Sequence, residues 1–251
     1  MSARAGTSLL RSLRCDLAPP VHVFQMGKVG SSSIYRTLLA SWPGRVLHGH
    51  HPRDLAPRDL RMLAWRRRLG LPVFVISPVR TPVARTVSSF FENFVGTAGH
   101  EWSDRDWTVD ELRALFLERA AHRFAAEWHE RQLHPLFGVD VFATPFPKAR
   151  RWATCRRGSV RVLVYRSDLD RDAQLEVVSR FLGRPVGPWV VANEGATKGY
   201  GAYYRAFLDD PRLPALYLRL MHQGRFAAHF WTREELDAEA ARWSRAAATA
   251  G

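Results

Sequence analysis

The chain has 251 residues, 46% hydrophobic and 24% charged, which is long enough to bury a substantial core and too ordinary in composition for wholesale disorder. Its 37 basic and 24 acidic side chains leave a formal charge of +13. That excess fits an anionic partner, whether nucleic acid, a membrane surface, a polyanionic glycan or a phosphorylated small molecule, and it equally fits arginine used as the common solvated surface residue.

No apolar run approaches the roughly 18 residues of a membrane span. Residues 1–18 alternate Arg with Leu, Ala and Ser, lack the apolar stretch of a secretory signal, and read as a tail ahead of a domain over 19–251. Cys15 and Cys155 are the only cysteines, without CxxC spacing, so a reduced, cytoplasmic compartment is expected.

Val21 to Gln25 reads as a short strand ended by Gly27 and Gly30, followed by a helix over Ser31 to Ser41 with Ile34, Leu38 and Leu39 on its apolar face. Arg45 to His48 reads as a second strand running into His50, His51 and Pro52. Asp54 to Leu69 reads as a helix, and Pro72 to Ile76 as a buried strand. Pro82 sits in the first turn of a helix through Phe94. Thr108, with Glu111 three residues on, makes a capping box at the start of a long helix. His134 to Pro147 reads as irregular, Val160 to Tyr165 as a strand, and Arg171 to Leu182 as a helix closed by Gly183. A loop from Pro185 to Gly201 leads to C-terminal helices. The alternation predicts a single α/β domain of three layers, with a central parallel sheet, right-handed crossovers and helices on both faces.

Two segments carry phosphate chemistry. Gln25 to Ile34 joins a strand to a helix and holds Gly27, Lys28, Val29, Gly30, Ser31, Ser32 and Ser33. Glycines let the backbone approach an anion, and the helix start offers unpaired N–H groups. The lysine precedes the second glycine, so this is not the triphosphatase loop; by itself the segment also reads as a serine-rich helix start after a tight turn. Ser77 to Phe90 follows the strongest strand and places Arg80 at the carboxyl edge of the sheet, with Arg85 and Ser88 on the next helix. Of the 37 basic residues only Lys28, Lys148 and Lys198 are lysines, so a lysine within a phosphate segment stands out as a compact point charge.

As an ordered pair, K-x-G-[ST]-[ST] and R-x-P-x-x-R-x-x-S resemble the cofactor signature of sulfotransferases that use 3′-phosphoadenosine 5′-phosphosulfate. The resemblance implies a P-loop-like fold. It implies that Lys28, Val29, Gly30, Ser31, Ser32 and Ser33 bind the 5′-phosphosulfate, that Arg80 and Ser88 bind the 3′-phosphate, and that no metal is needed. Thr81 departs from the family, which has Asp there. Leu163 to Leu169 with Phe181-Leu182-Gly183 is similar to the family's late strand, turn and helix end. Trp128-His129-Glu130, Gly138 to Val141 and Thr144-Pro145-Phe146 resemble a bacterial sulfotransferase-like group associated with capsular polysaccharide synthesis, as does Thr197 to Tyr200, which adds Lys198 to the cofactor set.

His48-Gly49-His50 resembles the HGH of uronyl 2-O-sulfotransferases, which implies that His50 is the catalytic base beside Lys28. The same histidines also fit a solvated turn before Pro52 or a weak metal cluster, and Glu92 and Glu101 are the alternative bases. The expected reaction is sulfation of a carbohydrate hydroxyl, on an acceptor that is itself anionic, bound over residues 96–158, with the enzyme cytoplasmic or peripheral to the inner face of the membrane. Two other functions compete. Asp104-Arg105-Asp106 or Asp170-Arg171-Asp172 would serve a metal-dependent glycosyltransferase of capsule synthesis. The net charge would serve a nucleic-acid-binding protein, but basic residues dispersed along the sequence without a nucleic-acid motif argue against one.

Overall fold

The computed structural model describes residues 18–192 and 199–245. The elements in chain order are β1 (Val21–Phe24), α1 (Ser31–Ser41), β2 (Val46–Gly49), α2 (Pro57–Arg68), β3 (Val73–Val79), α3 (Pro82–Glu92), α4 (Phe94–Ala98), α5 (Val109–Arg119), α6 (Phe124–Trp128), α7 (His134–Phe137), β4 (Trp152–Arg157), β5 (Val160–Arg166), α8 (Arg171–Leu182), α9 (Gly201–Asp209), α10 (Ala215–Gln223), α11 (Arg225–Phe230) and α12 (Arg233–Ser244). They form two compact units, one of residues 1–79 and 128–192, the other of residues 80–127 and 193–251. The expected acceptor segment 96–158 is therefore divided between them.

The first unit is an α/β structure around a five-stranded sheet in the order β2-β1-β3-β5-β4. Strands β1, β2, β3 and β5 are parallel, with Val21 opposite Val46 and Phe74, and Ile76 opposite Leu163. β1 and β3 are buried along their whole length, as parallel strands covered on both faces must be. On one face Val21, Val23, Phe74, Ile76, Leu163 and Tyr165 pack against Ile34 and Leu38 of α1 and Val178 and Leu182 of α8. On the other, Phe24 meets Trp128 at 5.0 Å and Phe137 at 5.7 Å between ring centres. Helical segments thus cover both faces of the sheet, as expected.

Four local expectations change. β4 is antiparallel to β5, with Trp152 opposite Tyr165 and Arg157 opposite Val160, and forms an edge that its exposed, Arg-rich sequence did not announce. The expected helix from Asp54 begins at Pro57, after a 3₁₀ turn over Pro52–Asp54. The helix from Pro82 ends at Glu92, and Asn93 separates it from α4. The irregular segment from His134 opens instead with α7, which continues a π-helical turn over His129–Leu133.

The second unit is helical. Phe90, Phe91, Phe94, Trp107, Phe116 and Phe207 form its centre, joined by Leu218 of α10 and Trp243 of α12. Thr108 and Glu111 form the predicted capping box on α5, and Thr232 with Glu235 forms a second on α12.

Candidate active site

β1 and β2 run parallel, so the residues that follow them leave from the same edge of the sheet. Those residues are the glycine-rich loop and the histidine segment. Between β1 and α1 three residues are left-handed: Gly27 (φ 75°), Lys28 (φ 63°) and Gly30 (φ 78°). Lys28 has a Cβ, so this conformation costs it roughly 1–2 kcal/mol; such strain is held where the surroundings over-determine it, commonly at binding sites. Lys28 is half-buried, Val29 is buried and Gly30 is exposed.

α1 starts without a side-chain cap and without an acid in its first turn. Its first N–H groups and positive dipole end therefore carry no built-in anion. By contrast α5, α8 and α12 each have a Thr or Asp cap and acids in the first turn.

Gln25, which no sequence motif marked, organises this site. It is fully buried, and its side-chain oxygen accepts the Gly27 N–H, which turns its amide nitrogen toward the other groups. That nitrogen donates to Ser31 Oγ at 2.7 Å and lies 2.9 Å from His50 Nδ1 and 3.5 Å from His48 Nε2. Ser31 Oγ is 3.2 Å from His48 Nε2, and the ring centres of His48 and His50 are 5.2 Å apart. Burial first, and the adjacent His50 second, lower the His48 pKa to about 4, so His48 is neutral near pH 7.

His50 is gripped on several sides. Its Nδ1 is 2.9 Å from the Gln25 main-chain oxygen, its main-chain oxygen accepts from Trp128 Nε1 at 2.8 Å, and its N–H donates to Asp54 Oδ2 at 2.7 Å. Gln25 thus offers Nδ1 an acceptor through its carbonyl and a donor through its amide, and the ring is anchored in either tautomer. With the proton on Nδ1, the lone pair is on Nε2, which has no hydrogen-bond partner among the described residues. Asp54 also accepts from the His51 N–H at 2.9 Å. Burial alone would raise the Asp54 pKa, but these two N–H bonds and the neighbouring His51 and His50 hold it below the usual value.

The three serines have separate roles. Ser31 is committed to Gln25 and His48. Ser33 Oγ accepts from the Ala192 N–H at 3.1 Å, and Thr37 Oγ1, one turn on, accepts from the Val190 N–H at 2.8 Å, so these two side chains tie residues 190–192 to α1. Ser32 remains half-buried at the helix start. Behind the loop lies His22, fully buried between the rings of Phe24 (4.8 Å) and Phe137 (5.8 Å). Neither of its ring nitrogens has a partner among the described residues, and its pKa is lowered to about 3, mainly by burial.

Lys28, Val29, Gly30, the serines and His50 therefore belong to the first unit. Arg80 and Ser88, both half-buried, belong to the second, and Lys198 lies outside the described residues. α3 also starts without a side-chain cap or an acid in its first turn. Arg85 turns inward, its guanidinium 4.4 Å from the Phe124 ring centre, and burial lowers its pKa to about 10. Thr81 donates its hydroxyl to Glu239, whose other oxygen lies 2.9 Å from His222 Nε2. A carboxylate thus does reach this position, from α12.

Of the alternative bases, Glu92 accepts from the Tyr200 hydroxyl at 2.5 Å, and Glu101 is exposed. One acid of each pair is used locally: Asp104 accepts from the Glu101 N–H at 2.9 Å, and Asp170 caps α8 through the Ala173 N–H at 2.7 Å. Comparisons with protein-family models, with curated proteins and with solved structures find no match to this chain.

Proposed function

We propose that the chain is a sulfotransferase that moves a sulfuryl group from 3′-phosphoadenosine 5′-phosphosulfate to a carbohydrate hydroxyl. The observation that carries this reading is the Gln25 network, which holds an anion-ready loop and a histidine with an unused Nε2 in one set of hydrogen bonds. Sulfuryl transfer needs both: a base for the acceptor hydroxyl and positive groups for the charge that develops on the departing phosphate.

In this mechanism His50 Nε2 takes the acceptor proton as the oxygen attacks sulfur. The bond from sulfur to the phosphate oxygen breaks, and its electron pair stays with 3′,5′-adenosine bisphosphate. Lys28 and the first N–H groups of α1 balance that charge. Nδ1–H rests on the Gln25 carbonyl throughout, so the imidazolium forms without turning. Arg80 and Ser88 hold the 3′-phosphate, Arg80 just ahead of α3 and Ser88 about two turns into it, with no acid in that helix's own first turn. The carbohydrate acceptor rests on the family resemblance.

Calorimetry with 3′,5′-adenosine bisphosphate and with 5′-AMP tests the reading. A charge-assisted contact to the extra phosphate is worth about 1.5–3 kcal/mol, so the bisphosphate should bind roughly tenfold or more tighter. Equal affinity for the two nucleotides would overturn it.

A further inference from the structure

At the amino-terminal edge of β5, away from the glycine-rich loop, Arg67 and Arg68 of α2 and Arg157 of β4 line a cavity of about 500 Å³ with Phe137 and Ser159. Arg67 is aimed by donation to the Leu136 carbonyl at 2.6 Å. A Cβ built on Gly138 would lie 3.2 Å from Arg157 Cδ and 3.8 Å from Arg67 Nη2, so the two side chains converge over that glycine. None of the three arginines makes an ion pair among the described residues. The carbonyl end of α2 attracts cations and accounts in part for Arg66, Arg67 and Arg68. It does not account for Arg157, which arrives from the β4–β5 hairpin.

On the adjoining side of α2 the residues Arg58, Arg61, Trp65, Arg68 and Leu69 follow helical spacing and are all exposed, Trp65 by 56% and Leu69 by 54%. The described part of this unit carries 20 basic and 8 acidic side chains. A second copy docking by this same face would set like charge against like. So would the chain's own residues 1–17, with Arg4, Arg11 and Arg14 against Asp16. The occupant is therefore anionic. A polyanionic glycan would use the arginines and leave Trp65 and Leu69 in water, and a single-stranded nucleic acid would stack a base on Trp65 but leave Leu69 in water. An anionic bilayer uses both, with phosphates on the guanidinium groups and the ring and leucine at the boundary between headgroups and acyl chains.

We propose that the carboxyl end of α2 and the β4–β5 turn form a docking surface for an anionic lipid bilayer, with the three-arginine cavity seating a headgroup phosphate. The surface is independent of the chemistry assigned to the glycine-rich loop.

Cosedimentation of the full chain with phosphatidylcholine vesicles, with and without phosphatidylglycerol, tests it. Binding is expected only to the phosphatidylglycerol vesicles. Replacing Arg67, Arg68 and Arg157 together by Gln should weaken it on the order of 100-fold, about fivefold per charge. Trp65→Ser with Leu69→Ser should weaken it by roughly tenfold. Should the triple variant fold poorly, Arg157→Gln alone should show its fivefold share, with an unchanged thermal unfolding transition as the control for folding. Equal binding to both vesicle types, or no response to the arginine changes, would overturn the proposal. Loss with the arginines but full retention without Trp65 and Leu69 would also overturn it, in favour of a soluble polyanion, and single-stranded DNA and heparin would then be the next probes.

Discussion

Inside the first unit lie Gln25, Ser31, Thr37 and the unpartnered His22, interleaved with the apolar side chains of the sheet. Inside the second lie rings: Phe90 meets Phe91, Phe94 and Phe116 edge to face at 5.4 to 5.6 Å, and Phe94 stacks on Trp102 at 3.8 Å. Charge divides the same way. The described residues of the first unit hold 20 basic and 8 acidic side chains, those of the second 13 and 14. Ring packing supplies stability through buried area and edge-to-face contacts, whereas a buried amide that serves a loop N–H, a serine and two histidines ties the site to one hydrogen-bond arrangement. The first unit thus carries the Gln25 network, whereas the second is centred on rings and also carries Arg80 and Ser88.

The largest effect should come from removing a ring. Phe90→Ala should cost about 3–5 kcal/mol in denaturant unfolding, and a cost below about 1 kcal/mol would show that the ring cluster is not the second unit's core. Next, His50→Ala should slow turnover by about 10²–10⁴-fold while leaving affinity for 3′,5′-adenosine bisphosphate nearly unchanged. Near-normal turnover would remove His50 from the chemistry and make Glu92 and Glu101 the next substitutions. Arg80→Ala, in the second unit, should do the reverse. It should erase most of the preference for the bisphosphate over 5′-AMP, roughly tenfold or more, and an unchanged preference would remove the second unit from nucleotide binding.

A further effect concerns pH and builds up gradually. Unfolded, His22 takes up a proton near the ordinary value of 6.5; folded, it resists until about 3. The unfolded state therefore binds more protons below pH 6.5, and stability should fall as pH drops from there toward 3, by about 1.4 kcal/mol per unit for this residue. His48, neutral down to about 4, adds to the same slope. His22→Leu should flatten the melting profile by one proton's share, and an unaltered slope would refute the assignment.

Much of the first unit was legible in the sequence because its strands are short, apolar and bounded by glycine or proline. β4 was not, since Trp152-Ala153-Thr154-Cys155-Arg156-Arg157 is an exposed edge whose pairing comes from β5 alone. The loop and His50 were visible as residue types. Gln25 was not, because an uncharged amide at the end of a strand carries no motif; the one available signal was a polar side chain closing an otherwise apolar parallel strand. Nor did the sequence indicate a left-handed Lys28, since the flanking glycines are where such a conformation is expected. The separation of charge was hidden because the chain passes from one unit to the other and back, so basic residues dispersed in sequence gather in space.

The tie between α1 and residues 190–192 has a geometric consequence. Ser33 and Thr37 are four residues apart on a helix, a rise of about 6 Å; Ala192 and Val190 are two apart, and two residues span at most about 6.6 Å. The two periods nearly match, so the helix acts as a ruler on which alternate amides of the neighbouring segment find successive hydroxyls. A ruler of this kind fixes phase as well as position. Inserting a single residue between Val190 and Ala192 would put one amide out of step with its hydroxyl, whereas inserting two would let the segment bulge and re-engage. The chain leading out of the first unit is in this sense indexed to the same helix whose first turn faces the glycine-rich loop.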